Sequence, residues 1–164
     1  DEFMISSSQM GPFPEGLQVG LVNINERKVL LNFLDHKEVI LNNKNSVYDL
    51  KVIAGDQEYV KSMSQEILSS IPEEFSLGQN YPNPFNPITQ MEYSLPQSSK
   101  VVISIYNVLG QEIKTLINKE QNYGYHSVSW DGTDRLGKSV ASGVYFTQMR
   151  SDGFSQSKKM LLLK

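Results

Sequence analysis

Cysteine is absent from this sequence, which removes disulfides, thiolate nucleophiles and cysteine-based zinc sites in one step. Stability has to come from packing or bound ions. Histidine is scarce as well: His36 and His126 are the only two, and neither stands in a metal-ligand spacing or beside a GxSxG nucleophile signature. Both read as structural or solvated. No run approaches the ~18 apolar residues that a membrane-spanning helix requires, and residues 1–16 carry neither the basic flank nor the apolar stretch of a signal peptide. The chain opens on Asp1 rather than methionine, so we expect the C-terminal part of a longer exported protein, its signal lying further upstream. Excess positive charge is missing too. Fifteen basic residues against 18 acidic ones, scattered through both halves, give a net charge of -3, so no basic stripe is built to neutralise a phosphate backbone. Nucleic acid is not an expected partner.

What is present suffices for a core. Hydrophobic residues make up 39% and charged residues 20% of the 164, too much apolar material and too little charge for a disordered chain. That length holds one ordinary domain or two small ones. Residues 1–16, rich in Ser, Gly and Pro and without periodicity, read as a flexible lead-in. Residues 17–60 form a β unit, the end of a preceding domain: the apolar runs LQVGLVNI, KVLLNFL, EVIL and VYDLKVIAG are separated by the turn clusters NINE, DHK and NNKNS. Within it Tyr48, Leu50 and Val52 alternate with Asp49 and Lys51, the period of a strand with one buried face. Residues 61–75 hold Met63, Ile67 and Leu68 at helical spacing, but the segment is short, serine-rich and stopped by Pro72, which predicts a linker with one helical turn.

From residue 76 the strands resume. Thr89, Met91, Tyr93 and Leu95 alternate with polar residues, as do Val101, Ile103 and Ile105, and then Val128 and Trp130. Ser151, Asp152 and Gly153 mark the turn of a terminal hairpin. Leu109, Ile113, Leu116 and Ile117 fit helical spacing, yet the strands on either side favour an extended segment.

Four motifs follow one another to the carboxyl terminus: FSLGQNYPNPFNPITQMEYSLP, IYNVLGQEIKTL, WDGTDRLGKSVASGVYF and KKMLLLK. Together, over about residues 71–164, they resemble the C-terminal sorting domain family of type IX secretion, whose fold is similar to the Ig-like domain of flagellar hook-capping proteins. The resemblance implies an all-β fold with an Ig-like β-sandwich at the C-terminus (residues 76–164) after the smaller β unit. It implies a non-catalytic address that directs a larger bacterial protein across the outer membrane to the cell surface or medium. The implied partners are the outer-membrane secretion machinery and upstream domains of the same protein. No cofactor is implied. In better-known members the domain is removed and the cargo joined to lipopolysaccharide.

Two segments are candidates for the recognised element. In Tyr81, Pro82, Asn83, Pro84, Phe85, Asn86 and Pro87 three prolines fix their own φ and bias the residues before them away from helix. Such a preorganised stretch loses little entropy on binding. It could equally staple the linker to the sandwich, with Phe85 plugging an edge and the prolines blocking strand pairing. In Lys158, Lys159, Met160, Leu161, Leu162, Leu163 and Lys164, alternate leucines point to opposite faces, so one set fills the core and the other is left for a contact or a covering loop. Trp130, Tyr123 and Tyr125 are candidate sugar contacts, Trp130 serving otherwise to close the core. They support the alternative, a carbohydrate-binding or adhesive accessory sandwich. Asp131 and Asp134 are candidate calcium ligands, or plain turn caps. Ser142 sits before a strand rather than in a nucleophile elbow, and nothing positions Glu73 and Glu74 as acid and base. No enzyme is expected in these residues.

Overall fold

The computed structural model describes residues 2–6, 14–30, 38–42 and 49–163; the expectations for His36, Tyr48 and Lys164 fall outside the described residues. The chain divides into two compact units, residues 1–71 and 72–164.

In the first unit, β2 (Gln18–Asn23) lies between β3 (Lys28–Leu30) and β5 (Leu50–Gly55), all antiparallel. Val19 and Leu21 are buried on one face of β2, with Leu17, Leu30 and Leu50 packed against them, while Val22, Ile24 and Ile53 are buried as well. Val52, expected inside, is 61% exposed. It lies on the outer strand, where only one neighbour flanks each residue, so alternation alone does not decide which face is covered. Within the expected lead-in, β1 (Glu2–Ser6) is a strand that pairs antiparallel with β4 (Glu38–Asn42).

The expected linker is in part a helix, α1 (Gln57–Ser70), which packs on β2 and β5. Asp56 supplies the start signal, its carboxylate accepting the Tyr59 amide at 2.8 Å as an N-cap. The serines do not break the helix because their hydroxyls bond back to it, Ser64 to the Val60 carbonyl, Ser69 to Glu66 and Ser70 to Ile67. Val60 and Ser64 form its buried stripe. At the far end the Arg27 guanidinium donates to the carbonyls of Leu68 and Ile71 at 3.0 and 3.2 Å, satisfying acceptors that a helix terminus leaves open. Pro72 then forbids continuation.

The second unit has strands β6 (Ser76–Leu77), β7 (Thr89–Leu95), β8 (Ser99–Asn107), β9 (Glu112–Gln121), β10 (Gly124–Trp130), β11 (Gly143–Ser151) and β12 (Phe154–Leu162). They form two antiparallel sheets, ordered β10-β7-β6 and β12-β11-β8-β9. Both sheets turn their alternating apolar residues inward. Met91 and Leu95 from one, and Val101, Ile103, Ile105, Met149, Met160 and Leu162 from the other, are fully buried in a single core. Near the start of β11 the Tyr145 hydroxyl donates to the Ala141 carbonyl at 2.8 Å, the tyrosine corner that locks such sandwiches. This is the expected Ig-like fold.

The ambiguous segment is extended, and its helical spacing has a cause. Between β8 and β9 the register steps from Ile103↔Ile117 to Ser104↔Thr115 and from Ile105↔Lys114 to Tyr106↔Glu112. Leu116 and Ile113 are therefore the extra residues of two bulges, which shift the phase of the apolar positions away from strict alternation. The terminal hairpin turns on Asp152 and Gly153, with φ of 44° and 79°, the left-handed pair that matches strand twist.

Candidate functional site

The two candidate segments, far apart in sequence, meet. Residues 81–87 fold along the outer edge of β12 and bind its last residues. The Phe85 amide donates to the Leu161 carbonyl at 3.0 Å and its carbonyl accepts the Leu163 amide at 2.9 Å, a parallel bridge centred on Leu162. The Asn83 carboxamide oxygen accepts the Leu161 amide at 2.9 Å, and its nitrogen reaches the Lys159 carbonyl at 3.4 Å. Gln79 donates to the same carbonyl at 2.8 Å. Pro82, Pro84 and Pro87, each after a cis peptide bond, offer no N–H to an incoming strand. The segment thus clasps the terminal strand and closes its edge.

Phe85 anchors the clasp. Its ring is 2% exposed and lies 5.6 Å from that of Trp130, which in turn meets Tyr145 edge-on at 5.1 Å. Asn80 braces the other side, donating to the Pro82 carbonyl and the Thr89 hydroxyl. Gly132 belongs to the same packing: its φ is +69° and a Cβ there would stand 3.3 Å from the Pro87 carbonyl oxygen, so the position suits glycine.

In the tail, Met160 and Leu162 fill the core, Leu161 is half-buried and Leu163 is exposed. Lys158 is half-buried and Lys159 exposed. The end of the sandwich that carries the clasp is where β7 and β11 begin and β8, β10 and β12 finish. Ile88, Val108, Leu109, Leu136 and Leu163 all lie in the loops and chain end there. They are the exposed large aliphatic residues described in this unit. Sequence reasoning did not assemble this apolar pole because its members come from three separate loops and the chain end.

Trp130 is buried, 1% exposed, with its indole N–H donating to the Thr133 carbonyl at 2.9 Å. It closes the core and has no face for a sugar, which corrects that candidate. Tyr123 is half-buried, whereas Tyr125 stands out from β10 at 75% exposure. The Asp134 carboxylate accepts the amides of Leu136 and Lys138, both at 2.9 Å. Asp131 accepts the Thr133 hydroxyl and amide and the Lys114 ammonium at 2.6, 3.2 and 3.2 Å. Both carboxylates cap turns. His126 stacks on Tyr93 and its Nε2 lies 2.8 Å from the Asn122 carbonyl. Among the described residues no group of three or more His, Asp or Glu is arranged to hold a metal ion, and no helix is long and apolar enough to cross a membrane.

The Thr133 hydroxyl, with further help from Lys114 and the Thr133 amide, holds the Asp131 carboxyl below its usual range against the opposing effect of burial. A carboxyl depressed on folding adds stability that is complete above its unfolded pKa and is lost as pH falls through the lower folded value. Asp131→Asn is therefore expected to be less stable than the parent at neutral pH, by less than about 1 kcal/mol because the pair is exposed to solvent. The two should converge in strong acid. Urea melts at pH 7 and pH 2 check this; a gap that persists in acid would assign the effect to shape rather than charge.

Residues 88–153 match the family described as the FlgD Ig-like domain. Among solved structures the chain is similar to PorZ, an essential surface component of the type-IX secretion system of Porphyromonas gingivalis, with 17% identity and a TM-score of 0.39 over 56% of this chain and 12% of that one. It is similar to FlgD from P. aeruginosa, with 27% identity and a TM-score of 0.36 over 46% of this chain and 59% of that one. Dimeric latent PorU from P. gingivalis gives 15% identity and a TM-score of 0.46 over 98% of this chain and 14% of that one. The chain thus spans less than two thirds of each of these proteins. No curated protein matches it.

Proposed function

We propose that the second unit is a non-catalytic sorting module that directs a larger bacterial protein through type IX secretion to the cell surface or the medium. The observation that carries this reading is the apolar pole. A chain end held by a clasp, with Leu163 exposed on it and Ile88, Val108, Leu109 and Leu136 exposed in the loops at the same end, favours docking over chemistry, since exposed apolar surface marks interaction sites. The match of residues 88–153 to an Ig-like domain found in FlgD supports a structural module, and the order of its motifs resembles sorting domains. The partner would be the outer-membrane secretion machinery.

Fusing the full chain behind a periplasmically exported reporter, in a host with type IX machinery, should carry the reporter to the cell surface. Leu109→Asp with Leu136→Asp should keep the thermal transition within a few degrees, because exposed positions contribute little to stability, and should reduce surface display at least tenfold. A fusion that stays in the periplasm would refute the sorting role. Undiminished display of the double variant would refute the pole as its recognised face.

A further inference from the structure

The outer face of the β10-β7-β6 sheet starts at Tyr81, the first residue of the clasp segment, and runs from there along β7 away from the contacts with β12. Thr89, Met91 and Tyr93 of β7 point into the core, so Gln90 and Glu92 point out, beside Ser127 of β10. The side chains of Gln90, Glu92 and Ser127 make no hydrogen bond among the described residues, in contrast to Ser94, whose hydroxyl is engaged by Ser76 and the Glu74 carbonyl. Two shallow hollows share Gly78, Gln90 and Glu92 as their floor; one runs to Tyr125 and the other to Tyr81. Gly78 keeps them open. Its amide donates to the Glu92 carbonyl at 2.7 Å, and a Cβ there would stand only 3.0 Å from that oxygen.

The rings at the two ends are the most exposed aromatic side chains described, Tyr81 at 83% and Tyr125 at 75%. The Tyr81 backbone is pinned to Gln90 by bonds of 2.8 and 3.0 Å. Tyr125 pairs with Ser94, four residues further along β7, which is about 13 Å at the rise of a strand. We infer that this groove binds an extended neutral oligosaccharide, with Tyr81 and Tyr125 as stacking platforms and Gln90, Glu92 and Ser127 as hydrogen-bond partners for its hydroxyls.

Each element of the ligand class follows from the groove. An aromatic ring with a polar tip offers an apolar face to the C–H side of a sugar. Amide, carboxylate and hydroxyl groups without internal partners supply the few placed polar contacts that fix orientation. No lysine or arginine lines either hollow, His126 is the one basic side chain named there, and Glu92 contributes a carboxyl group, so the lining favours neutral sugars over uronates or phosphates. The separation of the rings requires a chain of sugars rather than one.

The test is a titration of the full chain, followed by amide resonances, with cellohexaose, laminarihexaose, maltohexaose and chitohexaose, and with polygalacturonate as the anionic control. At least one neutral hexasaccharide should shift Gly78, Gln90, Glu92 and Ser127. Tyr81→Ala and Tyr125→Ala, each folded by its thermal transition, should weaken that binding at least tenfold, and Tyr81→Phe should stay within threefold of the parent. Absence of shifts on this face with all four sugars at millimolar concentration would overturn the inference. So would binding that survives both alanine variants, or tighter binding of polygalacturonate.

Discussion

Phe85→Ala is expected to destabilise the second unit by about 3–5 kcal/mol, the usual cost of removing a buried aromatic ring and leaving a cavity behind. The ring is 2% exposed and packs on Trp130, while the bonds to Leu161 and Leu163 come from its backbone and survive the change. The loss is large against the ~5–15 kcal/mol that holds a small domain together, and each kcal/mol moves the transition by about 4–8 °C in a domain of 60–100 residues. Trp130 is the only tryptophan, so its emission reports on the site directly. Tyr81→Ala, four positions away and 83% exposed, should change stability by no more than about 0.5 kcal/mol. Equal small losses in both variants would show that the proline-rich segment is not an integral part of the sandwich.

The contrast between these two aromatics shows where the sequence was legible. Strict alternation in Thr89, Met91, Tyr93 and Leu95, and again in Val101, Ile103 and Ile105, revealed both the strands and their buried faces, because period two has one structural meaning when a core lies on one side. The tail was legible for the same reason: Met160 and Leu162 go inward, Leu161 and Leu163 outward. Where the pattern carried a second signal it was harder to read. In β9 two bulges imitate a helical period, and in α1 serines that look like breakers bond to the helix itself. Val52 failed because an outer strand does not bury every residue of its apolar set.

Contacts between distant segments were not legible at all. YPNPFNP and KKMLLLK were both singled out, but nothing in either states that Asn83 and Phe85 of one bond Leu161 and Leu163 of the other. The two candidate segments are consequently one structure, since the clasp that closes the edge also holds Leu161 and Leu163. The outer face of β7 could not be assembled from the sequence for a related reason. Gly78 comes to lie against Glu92 only once β6 pairs with β7.

Deleting residues 160–164 is expected to abolish the folded second unit, and with it any export the unit confers. Met160 and Leu162 are fully buried, and each truncation of this kind costs about 2–5 kcal/mol. The clasp would also lose the Leu161 and Leu163 groups bonded to Asn83 and Phe85, leaving backbone atoms of Phe85 without partners. Together these losses reach the ~5–15 kcal/mol available to a small domain, so loss of near-ultraviolet dichroism and of the cooperative transition is the expected result. A deletion that still melts cooperatively would show that β12 beyond Lys159 is not needed for the core. Because unfolding alone would stop export, the deletion does not identify what is read. Lys158→Ser with Lys159→Ser does: both side chains retain solvent access, and each change should cost no more than about 0.5 kcal/mol. If that variant keeps the parent's transition and loses surface display, the basic entry to the last strand is part of the address. If it keeps both, the lysines are solvated surface and no part of the address.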